Sequence, residues 1–293
     1  MNRIHWIDAT KGLLILLMVL GHIPNIAGSQ GVENHILNKC IFFSSIYTCF
    51  FMQAFIILTG YTSNFDKKIN VYLKSLFKTI VIPWFSFSII CKIILALIHD
   101  DNFTYSISGS NYFFIIEDYW FLHVLLFGKI IYYFIHKYIK NDIYRCIGLL
   151  FLIMFGFLIL SKNTYHFYNY LHYKDTLCMT FFLWFGNYCK RYNIFDLLNG
   201  RILFVLCTLY CIGHTLRLIL RLYEIDCIFI IPIVISHAAN VTSVLQVPVY
   251  LFYTIIGSLS CFGIIKILNK NKYHPRSGWF FLFGHSPNAT GCA

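Results

Sequence analysis

Eight apolar stretches, each about the length of a membrane-spanning helix, divide the 293-residue chain and constrain its fold more than any other feature. The hydrocarbon core of a bilayer is about 30 Å thick and is crossed by roughly 17 to 25 helical residues. The stretches run from Gly12 to Gly28, Ile41 to Thr62, Thr79 to Ile98, Tyr119 to His136, Cys146 to Ser161, Thr176 to Cys189, Ile202 to Leu220 and Val247 to Leu268. Because lipid offers the backbone no hydrogen-bond partners, they predict an all-α polytopic integral membrane bundle of about 8–9 transmembrane helices.

The composition excludes several other classes of protein. Hydrophobic residues make up 58% of the chain and charged residues 12%, and the mean hydropathy is +0.67. These values exclude a soluble fold, a disordered chain and a disulfide scaffold. The net charge is +11, but the basic residues lie in short clusters between apolar stretches, which argues against a nucleic-acid partner. The eleven cysteines include no C-x-x-C pair and are interpreted as small hydrophobic residues, and no metal is expected.

The basic residues also predict the orientation in the bilayer. With the N-terminus in the cytoplasm, sixteen of the 23 Lys and Arg residues fall on the cytoplasmic side and eight of the twelve acids on the other. The short run from Cys227 to His237 is then predicted to be re-entrant or interfacial, since a full span there would place the basic tail outside. The opening MNRIHWIDATKG carries an Asp and a Lys before its apolar run, so we expect a retained first span and not a cleaved signal peptide. One transmembrane domain, 1–293, accounts for the chain.

Ionisable side chains inside the predicted spans are the first candidates for function, because a charged one costs about 2.5 to 3.5 kcal/mol on insertion scales. They are His22, Lys92, His123, Lys129, His214 and Arg217. Lys92 and Lys129 have long stems that can snorkel, and we interpret them as structural. His214 and Arg217 are three residues apart and share a helix face, where they could meet an anionic lipid-linked sugar.

The first span carries the most informative pattern. Lys11 and His22 are eleven residues apart, which places them on one helix face about 16 Å from each other. Asp8 lies one turn before Lys11, where the two charges would stabilise each other. A neutral imidazole within the membrane could take a proton from a hydroxyl group. The alternative is a structural His22 that is hydrogen-bonded to a neighbouring span.

Lys74 and Lys78 form an i, i+4 pair that leads into the third apolar stretch. Ordinary positive-inside topology would explain them. The functional alternative is an anion site for the phosphates of a cytosolic nucleotide-containing donor, since lysine binds phosphate as a point charge.

Several motifs, taken in order, carry a resemblance to a known family. The opening RIHWIDATKGLLILLMVLGH resembles the first span of the acyltransferase-3 family, especially its fucose 4-O-acetylase-like branch, and Lys11 and His22 meet the family's basic-x10-His spacing. The later stretches FFMQAFIILTGY, YLKSLFKTIVIPWF, YWFLHVLLF, FFLWFGNYCKR and YLFYTIIGSLSCFGIIKIL resemble its following spans. The resemblance covers nearly the whole chain, and its first-span motif is the most specific.

This resemblance implies an acyl-CoA-dependent O-acetyltransferase of a bacterial cytoplasmic membrane. Acetyl-CoA would be the donor, and a sugar hydroxyl of a surface polysaccharide or its lipid-linked precursor the acceptor. The resemblance implies that His22 is the general base, and that Asp8, one turn before Lys11, holds Lys11 or positions the donor. Lys11, Lys74 and Lys78 correspond to donor contacts, although an alignment on Pro83 would place Ser75 and Thr79 at the last two positions. Transfer could be direct or could pass through an acyl-enzyme.

Two departures leave other functions open. Lysine stands where many relatives have arginine, and lysine cannot bind a phosphate in the bidentate manner, so we expect weaker donor binding. The closing GWFFLFGHSPNATGCA starts like a family motif and then turns polar, so the closing spans look incomplete and an inactive truncated copy is one alternative. The others are a transporter or flippase of a glycan or small anion, and an assembly subunit.

Overall fold

The computed structural model describes residues 4–29, 41, 44–99, 120–160, 172–222 and 246–272, and their regular structure is helical throughout. The predicted all-α class is therefore confirmed. The helices are α1 (His5–Ser29), α2 (Phe51–Thr62), α3 (Ile69–Leu76), α4 (Ile82–His99), α5 (Trp120–Tyr138), α6 (Asp142–Leu160), α7 (Tyr173–Arg191), α8 (Gly200–Leu222) and α9 (Gln246–Lys272). A π-helical turn, Phe77–Val81, joins α3 to α4, and a 3-10 turn, Ile194–Leu197, precedes α8.

Each predicted apolar stretch overlaps one of these helices. Four segments of the described chain are long and apolar enough to cross a membrane: His5–Ile23, Ser44–Thr62, Ile69–Ile90 and Val247–Lys270. The protein is therefore a multi-pass membrane protein, while the count of 8–9 spans and the cytoplasmic N-terminus stay predictions. The run from Cys227 to His237 and the polar C-terminus lie outside the described residues.

Side-chain caps set where two of the helices begin. Asn141 accepts a hydrogen bond from the backbone N–H of Ile143 at the start of α6, and Asn199 accepts one from Ile202 at the start of α8. Asparagine is among the preferred residues before a helix, because its side-chain oxygen satisfies an N–H group that lacks a partner within the helix. The cap of α6 places Asp142 in the first helical turn, where it becomes part of the site described below.

Three connections meet at one end of the bundle, which we call the basic end: 63–68, 139–141 and 192–199. Arg191 at the end of α7 pairs with Asp142, and Lys266 near the end of α9 pairs with Asp196, both at 2.8 Å. The opposite end, where α5 and α7 begin, is called the far end. Helices α2, α5, α7 and α9 end at the basic end, whereas α1, α6 and α8 begin there, so functional groups collect in two separate layers.

Helix α7 lies at the centre of the bundle and packs against α2, α5 and α6. Its contact with α2 is unusually close, because glycines face backbone on both sides. A Cβ atom built on Gly60 would lie 2.3 Å from the carbonyl oxygen of Leu183, and one on Gly186 would lie 2.0 Å from that of Ile57. Small residues permit such approach between membrane helices, where close van der Waals packing drives association.

Candidate functional site

His22 is exposed on α1, and its imidazole is oriented by its own helix. Its Nδ1 lies 2.8 Å from the carbonyl oxygen of Met18. A carbonyl only accepts hydrogen bonds, so Nδ1 carries the proton in the neutral ring and Nε2 keeps its lone pair. The structural alternative, a histidine bonded to a neighbouring helix, does not hold among the described residues. The ring is instead held with Nε2 unprotonated and able to accept a hydrogen bond.

Lys11 lies toward the basic end of α1 and is half-buried against α2. Its ammonium lies 3.4 Å from the hydroxyl oxygen of Thr62, and the charge of Asp8 acts on it. Farther along α1, a Cβ atom built on Gly21 would lie 3.7 Å from Thr48 and 3.9 Å from the ring of Phe51 at the start of α2. Helices α1 and α2 therefore run antiparallel, with Lys11 near one end of their contact and His22 near the other.

Within the described residues, no hydrogen bond joins Lys74 or Lys78 to Lys11, and their role as donor contacts stays a prediction. Both side chains are exposed, and Lys74 lines a groove of about 430 Å³ between α3 and α5. Lys78 lies within the π-helical turn, so the two lysines no longer share one continuous α-helical repeat. Of the alternative pair, Thr79 donates a hydrogen bond to the carbonyl oxygen of Ser75 at 2.8 Å.

The two residues predicted to contact the acceptor sugar, His214 and Arg217, lie on α8. His214 is buried, and its ring stacks on that of Tyr210 with the centroids 6.4 Å apart. The side chains of Arg217 and Lys92 lie outside the described part of the structure. The pairing of His214 with Arg217 thus stays a prediction.

A network of charges that the sequence did not predict holds the basic end together. Asp142 accepts hydrogen bonds from Arg145 and Arg191, each at 2.8 Å, and from the hydroxyl of Tyr192 at 3.3 Å. Arg145 is buried and also donates to the backbone carbonyls of His136 and Ile139. One carboxylate therefore joins α6 to α7, and one guanidinium holds the connection 139–141.

The network extends through His136 to the connection 63–68. Arg191 donates to Nδ1 of His136 at 3.3 Å, so Nδ1 is an acceptor and Nε2 carries the proton, which it donates to Asp66 at 2.9 Å. That hydrogen bond lowers the pKa of Asp66, against the opposing effect of its partial burial, and the charges of Arg191 and Arg145 add to the lowering. The nearby Lys190 also donates to the carbonyl oxygen of Ser63. The connection 63–68 is thus fixed at several points.

Replacing Asp142 by alanine should strongly destabilise the protein, because it leaves Arg145 buried without its carboxylate. Removing one partner of a buried ion pair costs about 3 to 5 kcal/mol. The matched control is Asp196→Ala, whose carboxylate is 76% exposed beside Lys266 and should contribute no more than about 1 kcal/mol. The free energy of unfolding of both variants can be measured in mixed micelles of a mild and a denaturing detergent. Equal losses in the two variants would contradict the role of the network.

A second polar cluster lies at the far end, and we call it the far-end cluster: His123, His172 and Asp175, with the rings of Trp84 and Trp120. Nδ1 of His172 lies 3.4 Å from Oδ2 of the buried Asp175. The ring of His172 lies 5.5 Å from both His123 and Trp120. His172 has a positive φ of 42°, a conformation that is costly for a residue with a side chain.

Of these two clusters, the sequence indicated only His123, as an ionisable side chain inside a predicted span. Asp142, Arg145 and Asp175 lie just outside the predicted spans, so a search for ionisable side chains inside the spans does not reach them. The available signal was the presence of acids and bases on either side of a short turn, as in Lys140 to Arg145. No group of three or more His, Cys, Asp or Glu that could hold a metal ion occurs in the part of the chain that the structure describes.

One comparison with known proteins gives a match over almost the entire chain. A family model described as an acyltransferase domain, of the acyltransferase-3 type, matches residues 4–286. No curated protein and no solved structure matches. The match includes α1 with Lys11 and His22 and extends beyond α9, while the narrower fucose 4-O-acetylase-like branch stays a prediction.

Proposed function

The chain belongs to the acyltransferase-3 family of membrane acyltransferases, and we propose that it moves an acetyl group from cytosolic acetyl-CoA to a sugar hydroxyl. The acceptor is a surface polysaccharide or its lipid-linked precursor, and the site of action is the bacterial cytoplasmic membrane. The family match supports acyl transfer in general. The donor, the acceptor and the residue roles belong to the proposal.

The observation that carries the proposed mechanism is the orientation of His22. Its Nδ1–H donates to the carbonyl of Met18, which leaves Nε2 as the basic nitrogen on an exposed side chain. A general base must have its lone pair free and must hold a fixed direction toward the proton that it removes. A hydrogen bond to the helix backbone supplies that direction here, as a carboxylate does in other enzymes.

Nε2 of His22 removes the proton from the acceptor hydroxyl. The oxygen then attacks the carbonyl carbon of the thioester, a C–O bond forms, and the C–S bond breaks. The CoA thiolate leaves and takes the proton from the imidazolium ring, so the products are an O-acetyl sugar and free CoA. The imidazole returns to its starting state, and neither an oxidant nor a metal enters this balance.

The donor and acceptor approach His22 from different directions in this proposal. Lys11 lies on the same face of α1 toward the basic end, where Asp8 holds its charge and where the donor's phosphates would lie. His214 and Arg217 on α8 would contact the acceptor. Lys74, which lines the groove between α3 and α5, and Lys78 stay predicted donor contacts.

Mass spectrometry of surface polysaccharide from cells with and without the gene tests the proposal. We expect the deletion to remove the mass increment of an acetyl group from one sugar, and the wild-type gene to restore it. An unchanged acetylation pattern would contradict the proposed acceptor. Glycan flux that continues without acetyl-CoA would favour a transporter.

A further inference from the structure

Lys129 of α5 is a half-buried cation that the mechanism above does not use. It lies between the two ends of α5, seven residues before His136, and its backbone carbonyl accepts a hydrogen bond from the hydroxyl of Tyr72 at 3.2 Å. Within the described residues, no hydrogen bond or ion pair holds its ammonium group. This sets it apart from Lys266, whose ammonium is paired with Asp196.

The charges that act on Lys129 are themselves cations. Lys11 of α1 and Lys67 of the connection 63–68 are the two neighbouring charges that reach it. The backbone at Lys67 is fixed, because the hydroxyl of Tyr133 donates to its carbonyl oxygen at 2.8 Å. Phe65 of the same connection is buried against the ring of Tyr132. Tyr133 lies one turn after Lys129 on α5, so the backbone of Lys67 lies close to Lys129, and the charge of Lys11 reaches the same region from α1.

This lysine cluster, Lys11, Lys67 and Lys129, is electrostatically incomplete. Like charges repel, and the repulsion grows as water is excluded. The carboxylate of Asp8 acts on Lys11, whereas the charges that act on Lys129 include no carboxylate. Elsewhere at the basic end, Arg145 and Arg191 share the carboxylate of Asp142. A multiply charged anion is the ligand that such a cluster would stabilise.

We propose that the lysine cluster binds the phosphate groups of the acyl-CoA donor. The inference rests on the proposed function and gives Lys129 and Lys67 the role that the sequence assigned to Lys74 and Lys78. The pantetheine arm of CoA separates its phosphates from its thioester, so the two sites must lie apart along one path. Lys11 belongs to the cluster and shares a helix face with His22, which lies about 16 Å farther along α1.

Binding of CoA to the full chain in phosphatidylcholine nanodiscs tests the inference by calorimetry. We expect Lys129→Gln to weaken binding by about tenfold or more, the usual effect of losing a hydrogen bond to a charged group, and Lys129→Arg to retain most of the affinity. The matched control is Lys137→Gln, on an exposed lysine of the same helix. Lys67→Gln gives a second measurement at an exposed side chain with no role in folding. In turnover, the KM for acetyl-CoA should rise while kcat changes little.

The salt dependence of binding and the lipid composition distinguish a CoA phosphate from a lipid headgroup phosphate as the ligand of the cluster. If an ammonium of the cluster contacts a CoA phosphate, binding in phosphatidylcholine alone will weaken with added salt, and this salt dependence will be smaller in Lys129→Gln. Loss of CoA affinity in Lys67→Gln and Lys129→Gln but not in Lys137→Gln supports the inference. Unchanged CoA affinity in both, with Lys129 needed only for binding phosphatidylglycerol vesicles, would overturn it in favour of a lipid headgroup. Wild-type protein that binds no CoA would instead contradict the CoA-dependent function itself.

Discussion

Replacing His22 by alanine should lower the rate of acetyl transfer by about 10²- to 10⁴-fold, the usual contribution of a general base. The loss should appear in kcat, because the imidazole acts on the proton that moves in the transition state. The fold should be unaffected, since the side chain is exposed and, among the residues that the structure describes, bonds only to its own helix. Acetyl-CoA turnover by purified protein, with thermal unfolding of the same samples, would measure both quantities.

Leu16→Ala is the matched control for this experiment. Leu16 is also exposed on α1, but it lies on a different helix face from His22. We expect it to retain wild-type turnover. A His22→Ala enzyme that keeps its kcat would remove His22 from catalysis, and a loss that accompanies unfolding in both variants would point to a structural role for α1.

Replacing Gly186 by alanine should strongly reduce the yield of folded protein. The new methyl group would lie 2.0 Å from the carbonyl oxygen of Ile57, and a backbone atom cannot move aside as a flexible side chain can. Overpacking usually costs about 1 to 3 kcal/mol, and we expect this substitution to reach or exceed the upper value. Gly60→Ala, against the carbonyl oxygen of Leu183, should behave in the same way. Unfolding in mixed micelles would give the free energies.

Gly12→Ala provides the control for these substitutions. Nothing lies within 4 Å of a Cβ atom built on Gly12, so this change should leave the free energy of unfolding unchanged or raise it by up to about 1 kcal/mol, as expected for alanine in a helix. If Gly186→Ala were as stable as Gly12→Ala, α2 and α7 would have to be farther apart than the structure shows.

The helical class and the helix positions could be predicted from the sequence because membrane helices are defined by local properties. Apolar length and the absence of charge are read along the chain itself, without knowledge of neighbours. The Lys11 and His22 pattern is local in the same sense, because both residues lie on one helix and their shared face follows from its period. The Gly-His pair at Gly21 could likewise be recognised directly.

The remaining features depend on which helices are neighbours. Asp142 binds both Arg145 and Arg191. Arg191 lies 49 residues after Asp142 in the chain, and no periodicity of the sequence predicts their contact. The sequence suggests a structural, snorkelling role for Lys129. Its charged neighbours, Lys11 and Lys67, come from other elements and cannot be identified from α5 alone. Lys78 lies in the π-helical turn before α4, whereas Lys74 lies in the α-helix that precedes it. An i, i+4 rule for an ideal α-helix does not anticipate this change of helix type.

The backbone contact between α2 and α7 also decides which parts of the protein can move. Two helices whose glycines meet carbonyl groups cannot slide past each other without steric clashes, so α2 and α7 form a fixed frame. Helix α1 packs against α2 through side-chain contacts, such as that of Lys11 with Thr62. In the proposed mechanism, we therefore expect α1 to be the helix that moves when the donor enters and leaves, so that the helix carrying the proposed base also controls access to it.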